Sequence, residues 1–293
     1  MRVALCQIPV SPDPPVNLSR VKGALAEAAA GHADLAVFPE ATMVRFGSDL
    51  AAAAEPLDGP FCSGLASACA ATGVAAVVGV FEPADEGPSG SGAGGGGGGA
   101  GGRQRVHNTA VAFSASGSLV ASYQKLHLYD ALGQLESETV SPGSDVVVTS
   151  LAGADVGLQI CYDIRFPELT RALAVAGARL VTVSAAWATG LFKEEHWVTL
   201  LRARAIENTV WIAAVDQVPD PDAEPTRAPT GVGRSLLIDP MGVVRCDLGP
   251  AAGVAVAEAD LSAVDSVRAI LPSLANRRED VFAFGPADRT TSR

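Results

Sequence analysis

Residues 157–168 read Gly-Leu-Gln-Ile-Cys-Tyr-Asp-Ile-Arg-Phe-Pro-Glu, and in this stretch an apolar strand runs straight into the start of a helix. The junction predicts that Cys161 stands exposed at the tip of the strand, with a helix N-terminus pointing at its sulfur. Both effects favour the thiolate, which is the reactive form of cysteine. The sequence therefore predicts a nucleophilic thiol at this strand end.

Two other apolar runs also stop at an ionisable residue. Residues 34–40 end in the carboxylate of Glu40, and residues 119–125 end in the amine of Lys125. In α/β sheets, functional sites form beyond the carboxyl ends of strands. A base, a cation and a nucleophile that each follow a strand end are typical of a thiol-based acyl-transfer enzyme.

The rest of the chain alternates between strand and helix patterns, which predicts one α/β domain over residues 1–270 and an extended tail over residues 271–293. Helices are predicted from an Asn17 cap to Gly31, over Cys62–Ala71, from Pro167 to Gly177 and over Glu194–Asn208. Besides the strand before Cys161, we predict strands at Val3–Ile8, Leu35–Phe38, Val74–Phe81, Val106–Phe113, Leu119–Lys125, Leu180–Ala185, Val210–Val215, Ser235–Ile238, Val243–Cys246 and Gly253–Ala259.

The tract Gly87–Gly102 is almost entirely Gly, Ser and Ala. Such a composition buries too little apolar surface to offset the entropy of ordering, so we predict a flexible loop inside a hairpin connection.

Composition excludes several classes of function. The formal charge of −11 argues against nucleic-acid binding and against binding to an anionic membrane surface. Five cysteines without a C-x-x-C pair suggest neither a disulfide framework nor a zinc site. No apolar run reaches about 20 residues, so no membrane span is expected. We expect a cytoplasmic protein in a reduced compartment, since the first residues do not resemble a signal peptide.

Each candidate residue also has an ordinary structural explanation. Taken singly, Glu40 is a loop residue and Lys125 is a solvated charge. A free cysteine usually acts as a small apolar side chain, which is our interpretation of the cysteines other than Cys161. His127 lies near a proposed site segment, and we expect it to have a structural role satisfied by local backbone. The remaining histidines lack metal-ligand spacing.

Three ordered segments closely resemble the signature regions of the nitrilase superfamily, the carbon–nitrogen hydrolases with a Glu-Lys-Cys triad. The segments are Val37–Glu40, Tyr123–Asp130 and Ile160–Leu169, and the resemblance continues through Leu201–Asn208. It recurs at Arg268–Pro272 and Asn276–Arg278, in a pattern similar to the branch of omega-amidases and deaminated-glutathione amidases.

The resemblance implies a role for each triad residue. Glu40 corresponds to the general base, Lys125 to the cation on the oxyanion side and Cys161 to the nucleophile. Family members carry a second glutamate shortly after the lysine, and Glu136 matches that position better than Glu138. The resemblance implies no role for a metal ion or an organic cofactor in this chemistry.

The resemblance also implies a four-layer αββα sandwich, in which two sheets face each other and helices cover both outer faces. Relatives usually form homodimers through helices near the active site, with the C-terminal tail crossing to the partner. We expect that contact, or that of a higher homo-oligomer, to involve Pro167–Ala176 and the tail from Leu271.

The substrate is less determined than the chemistry. Tyr162, through its backbone N–H, and Trp187, Asn108 and Arg165 lie on or near site segments and are candidates to bind substrate. For Arg165 the alternatives are a carboxylate clamp and a salt bridge that positions the loop after Cys161. Trp187 stands where omega-amidases commonly have Phe, which leaves the exact substrate open.

We expect hydrolysis of a small-molecule amide, of the omega-amidase or deaminated-glutathione-amidase type. N-carbamoyl amino acid hydrolysis or a nitrilase activity is the runner-up. A non-catalytic small-molecule-binding protein is the alternative from another class. A redox thiol protein would need a resolving cysteine close to Cys161, and no other cysteine is near it in the sequence.

Overall fold

The computed structural model describes residues 1–84, 104–222, 224 and 226–281. Within them, twelve strands form two six-stranded sheets. The strands are β1 (Arg2–Gln7), β2 (Leu35–Val37), β3 (Ala75–Pro83), β4 (Val106–Phe113), β5 (Leu119–Gln124), β6 (Val148–Leu151), β7 (Ala154–Ile160), β8 (Leu180–Ala185), β9 (Trp211–Asp216), β10 (Leu236–Ile238), β11 (Val244–Asp247) and β12 (Gly253–Glu258). The α-helices are α1 (Pro14–Ala30), α2 (Leu50–Ala53), α3 (Pro60–Thr72), α4 (Pro167–Val175), α5 (Lys193–Asn208) and α6 (Ser262–Ile270).

The two sheets have the same size and a similar plan. The first has the order β12-β1-β2-β3-β4-β5 and the second the order β11-β10-β9-β8-β7-β6. Strands β1, β2 and β3 are parallel, as are β7, β8 and β9, and the outer strands pair antiparallel. Parallel strands bring their carboxyl ends to one edge, and this edge of each sheet carries the site.

Alternating side chains of the strands build the layers. On β1, Val3 and Leu5 join the core between the two sheets, whereas Ala4 and Cys6 join a second core with α1 and α3. Helices α4 and α5 cover the outer face of the second sheet. Side chains of a strand point alternately to its two faces, so one apolar run serves both cores. The layers are those of the predicted αββα sandwich.

The predicted strands are all present, and their ends agree with the structure within two residues. Strands β3 and β4 pair antiparallel with Pro83 opposite Val106, as predicted for a hairpin. The tract Gly87–Gly102 itself lies outside the described residues. The short edge strand β6 and the helices α2 and α6 were not predicted.

The predicted cap of the first helix is wrong. Helix α1 begins at Pro14, with Asp13 at the cap position, because proline fits the first turn of a helix, where its missing N–H is not needed. Asn17 lies buried inside the helix. Its amide hydrogen-bonds the backbone of Ser11 and the carbonyl of Met43, so it holds the segment that leads into α1.

The predicted extended tail from Leu271 is also wrong for the part that is described. Residues 271–281 follow α6 directly and fold into two turns. No helix in the described ranges has the length and apolar character needed to cross a bilayer.

Gly79 on β3 allows the chain after β2 to lie against the neighbouring strand. A Cβ at Gly79 would come within 2.6 Å of the Pro39 carbonyl oxygen and of the Ala41 nitrogen, and within 2.8 Å of the Glu40 Cα. These are backbone atoms, which cannot move aside as a flexible side chain can. Gly79 therefore fixes the position of the Glu40 segment.

We predict that Gly79→Ala lowers the free energy of unfolding by about 1–3 kcal/mol, the usual cost of overpacking. Gly23→Ala is the matched control, because a Cβ there meets open space on α1. Alanine is the better helix former, so the control gains up to about 1 kcal/mol. Denaturant unfolding of the three proteins measures both values. A Gly79→Ala protein as stable as the wild type would contradict this account.

Candidate active site

Glu40, Lys125 and Cys161 meet at one edge of the sandwich. Glu40 follows β2, Lys125 directly follows β5 and Cys161 directly follows β7. All three line one cavity of about 330 Å³, a volume that suits a small molecule. The sequence placed these residues at strand ends, and the two sheets bring the ends together.

The ammonium of Lys125 lies between two carboxylates. Its Nζ is 2.8 Å from Glu40 Oε1 and 2.8 Å from Glu136 Oε2. The Lys125 side chain is 2% exposed and that of Glu40 is 1% exposed. Burial by itself would lower the pKa of Lys125, but the charges of Glu136 and Glu40 outweigh it and raise that pKa well above its usual value. Lys125 is therefore a fixed cation.

Further donors fix the two carboxylates. Asn108 Nδ2 donates to Glu40 Oε1 at 2.8 Å and to Glu136 Oε1 at 3.0 Å. The other oxygen of Glu40 accepts the backbone N–H of Ala186 at 2.9 Å. Asn108 was predicted to bind substrate. It is buried, is not among the residues that line the cavity, and hydrogen-bonds both carboxylates.

The backbone at Cys161 is strained. Its φ is +45°, in the left-handed region that non-glycine residues rarely adopt. A five-residue 3₁₀ helix, Cys161–Arg165, follows, and α4 begins only at Pro167. Strain of this kind is typical of functional turns, where the surrounding structure enforces it.

The prediction of an exposed, thiolate-favouring cysteine is wrong for the free protein. Cys161 is 8% exposed, and burial together with the charge of Glu40 raises the pKa of its thiol well above the usual value. Lys125 acts in the opposite direction without reversing the shift. Burial and the Glu40 charge therefore favour the neutral thiol of Cys161 over the thiolate.

Asp163 ties the cysteine turn to the lysine strand. Its Oδ2 accepts the backbone N–H of Ile160 at 2.9 Å and the hydroxyl of Tyr123 at 2.7 Å. Its Oδ1 contacts the His127 ring at 2.8 Å. The structural role predicted for His127 is present, but its partner is this carboxylate as well as a stacked Phe166 ring, with 3.7 Å between the ring centroids.

Trp187 forms a fixed wall of the cavity. Its backbone N–H donates to Asp216 Oδ1 at 2.7 Å and its indole N–H to the Lys193 carbonyl at 2.8 Å. The Arg165 guanidinium lies 4.9 Å from the centre of the Trp187 ring. Arg165 makes no ion pair with any carboxylate of the described residues, so of its two alternatives the salt bridge is not formed there.

Tyr162 also lines the cavity, next to the thiol. Its ring packs edge-on against Tyr129, with 5.0 Å between the centroids. The backbone N–H of Tyr162, which the sequence made a candidate to bind substrate, directly follows Cys161 in the turn.

Sequence reasoning missed Lys193 and Asp216. Lys193 lines the cavity, and Asp216 lies buried behind Trp187, where burial raises its pKa to about 8. A signal for Lys193 existed, because the chain has only three lysines and 18 arginines, and two of the three lysines line this cavity.

A metal centre was not predicted. Among the described residues no cluster of three or more His, Cys, Asp or Glu side chains is arranged to hold a metal ion.

Comparison with known proteins extends the sequence resemblance to the whole chain. The carbon-nitrogen hydrolase family model matches residues 2–269. The protein named Hydrolase Rv0480c from Mycobacterium tuberculosis is 39% identical over 100% of both chains. The deaminated glutathione amidase of Mus musculus is 34% identical over 96% of this chain and 84% of its own.

Solved structures agree with these sequence relatives. An amidase from Nesterenkonia sp. superposes with a TM-score of 0.75 at 30% identity, over 96% of this chain and 94% of the other. Nit3 of Saccharomyces cerevisiae, a member of branch 10 of the nitrilase superfamily, gives a TM-score of 0.79 at 25% identity, over 95% and 96% of the two chains. The chain belongs to the carbon-nitrogen hydrolase family.

Proposed function

We propose that this enzyme hydrolyses a small linear amide through a thioester on Cys161, with an activity of the deaminated-glutathione-amidase or omega-amidase type. The observation that carries the proposal is the Lys125 ammonium held at 2.8 Å by both Glu40 and Glu136 in the cavity that contains the Cys161 thiol. Relatives named deaminated glutathione amidase support an amide as the substrate.

In the first half of the reaction, Glu40 accepts the proton of the Cys161 thiol. The sulfur attacks the amide carbon, a C–S bond forms, and an electron pair moves onto the carbonyl oxygen. Lys125 and the backbone N–H of Tyr162 stabilise this oxyanion. One such preorganised donor typically lowers the barrier by about 3–4 kcal/mol.

The tetrahedral intermediate then collapses. The C–N bond breaks, and the nitrogen takes the proton held by Glu40 and leaves as ammonia or an amine. Glu40, again a carboxylate, removes a proton from water as that water attacks the thioester. The C–S bond breaks, the sulfur regains a proton from Glu40, and the carboxylic acid leaves.

Glu136 keeps Lys125 in place during these steps. Besides Lys125 and Asn108, the backbone N–H of Tyr129 also donates to the Glu136 carboxylate, at 2.7 Å, so three donors fix it. We assign it a positioning role for Lys125 and for the leaving group.

We also propose a homodimer built around α4 and the segment after α6. Apolar side chains are exposed on both, with Val175 at 58% and Leu271 at 42%. Light scattering at micromolar concentration tests this, with a dimer mass expected. Replacing both residues by Asp would shift that mass to the monomer, and an unchanged dimer would place the interface elsewhere.

We infer a reducing compartment, the cytoplasm, because all five cysteines are free thiols. Cell fractionation with an antibody against the protein tests this inference, and recovery in an oxidising compartment would contradict it.

We predict that Cys161→Ala abolishes ammonia release from α-ketoglutaramate or deaminated-glutathione-type amides, with a loss of at least about 10³-fold, because no thioester can form. Cys246→Ala, which removes a half-buried thiol on β11, should retain near-wild-type activity. Turnover by Cys161→Ala would contradict the mechanism. A Cys161-dependent preference for an N-carbamoyl amino acid or a nitrile would move the protein to the runner-up function.

We predict two opposite effects of Glu40→Gln. Because the Glu40 charge raises the pKa of the Cys161 thiol, removing that charge lowers this pKa. Alkylation of Cys161 by iodoacetamide should then reach its half-maximal rate at a lower pH than in the wild type. Amide hydrolysis should nevertheless fall by about 10²–10⁴-fold, since the base is gone.

Glu138, an exposed glutamate two residues after Glu136, provides the control for this experiment. Glu138→Gln should change neither the alkylation profile nor hydrolysis. Hydrolysis at the wild-type rate in Glu40→Gln would rule out Glu40 as the base, and an unchanged or higher alkylation midpoint would contradict its effect on the pKa of the Cys161 thiol.

A further inference from the structure

Lys193 is a buried cation that faces the active-site cavity. It is the first residue of α5, its side chain is 5% exposed, and it lines the same cavity as Cys161. Its Nζ lies 4.6 Å from the centre of the Trp187 ring and 5.4 Å from that of the Tyr129 ring. Two aromatic faces thus hold the ammonium at the cavity wall.

Lys193 differs from Lys125 in its partners. Lys125 has two carboxylates, whereas Lys193 forms an ion pair with none of the carboxylates in the described ranges. Its neighbour Arg165 is also cationic, and burial together with that charge lowers the pKa of Lys193. The cavity therefore presents a positive charge that the described part of the protein leaves unmatched.

This position is costly for a lysine. A cation at the first residue of a helix opposes the helix dipole, and a buried charge needs compensation. Contact with aromatic faces returns less free energy than burying an ion costs. An anion bound in the cavity would satisfy both the ammonium and the helix N-terminus.

We propose that Lys193 is the specificity-determining residue that binds a carboxylate of the substrate. The proposal rests on the amidase function given above, and it assigns to Lys193 the carboxylate contact that the sequence suggested for Arg165. Arg165 stacks on the Trp187 ring and does not line the cavity. The substrate class is then the half-amide of a short dicarboxylic acid, with the amide at Cys161 and the acid at Lys193.

Succinamate and succinamide test this assignment, because they have the same shape and differ only in the charge of one end. For Lys193→Met we expect kcat/KM for succinamate to fall about 30- to 100-fold, mainly through KM, and that for succinamide to change less than about threefold. A fall of this size in kcat/KM is typical when one partner of a buried charge pair is removed. Lys193→Arg should keep part of the preference. Lys22→Met, on the exposed face of α1, should keep all of it.

An equal loss for the two substrates in Lys193→Met would overturn the proposal, because it would mean that Lys193 acts on the reaction and not on the acid. Thermal unfolding of Lys193→Met should be unchanged or shifted upward, since a buried charge is removed, and this checks that the protein folds.

A second readout does not depend on turnover. Succinate should protect Cys161 from iodoacetamide in the wild type and in Lys22→Met, and at least tenfold more succinate should be needed in Lys193→Met. Absence of Cys161-dependent hydrolysis with any amide would end the proposed function, and the protection experiment would still decide the role of Lys193. Equal protection of wild type and Lys193→Met would overturn that role.

Discussion

The Lys125 ammonium between Glu40 and Glu136 is the interaction on which the site depends. At 2% exposure the lysine cannot exchange its partners for water, and removing either carboxylate leaves charge that is buried and poorly matched. The contact links the end of β5 to the end of β2 and to the 3₁₀ helix at Glu136. Asn108 joins the same group from β4. These contacts therefore fix the position of the Glu40 carboxylate to within a hydrogen-bond length.

The charges of Glu40 and Lys125 also shift the pKa of the Cys161 thiol. Burial and the Glu40 carboxylate raise the pKa of the Cys161 thiol, while Lys125 acts in the opposite direction. Asp163 accepts the backbone N–H of Ile160, the residue before the strained Cys161, and also the hydroxyl of Tyr123 on β5. Cys161, Glu40 and Lys125 thus lie at strand ends around one cavity, in the arrangement that the proposed mechanism requires.

The fold and the triad were predictable because local patterns carry them. Apolar alternation gave the strand positions, and an ionisable residue at each of three strand ends indicated a site. Burial and long-range pairing do not appear in such patterns. Asn108 resembled a substrate ligand because its place on the strand does not reveal the two carboxylates that it hydrogen-bonds. The expectation of a thiolate at Cys161 rested on the helix N-terminus alone and left out the effect of burial on the pKa of the thiol. Asn17 looked like a cap because the chain fold that buries its amide is not local.

Intact-protein mass spectrometry after rapid acid quenching shows whether a thioester forms on Cys161. During turnover of an amide substrate, we expect a protein population heavier by the acyl group. Peptide mapping should place that group on Cys161, and hydroxylamine should remove it. Steady hydrolysis with no adduct on Cys161 at any quench time, or an adduct on another residue, would contradict the account.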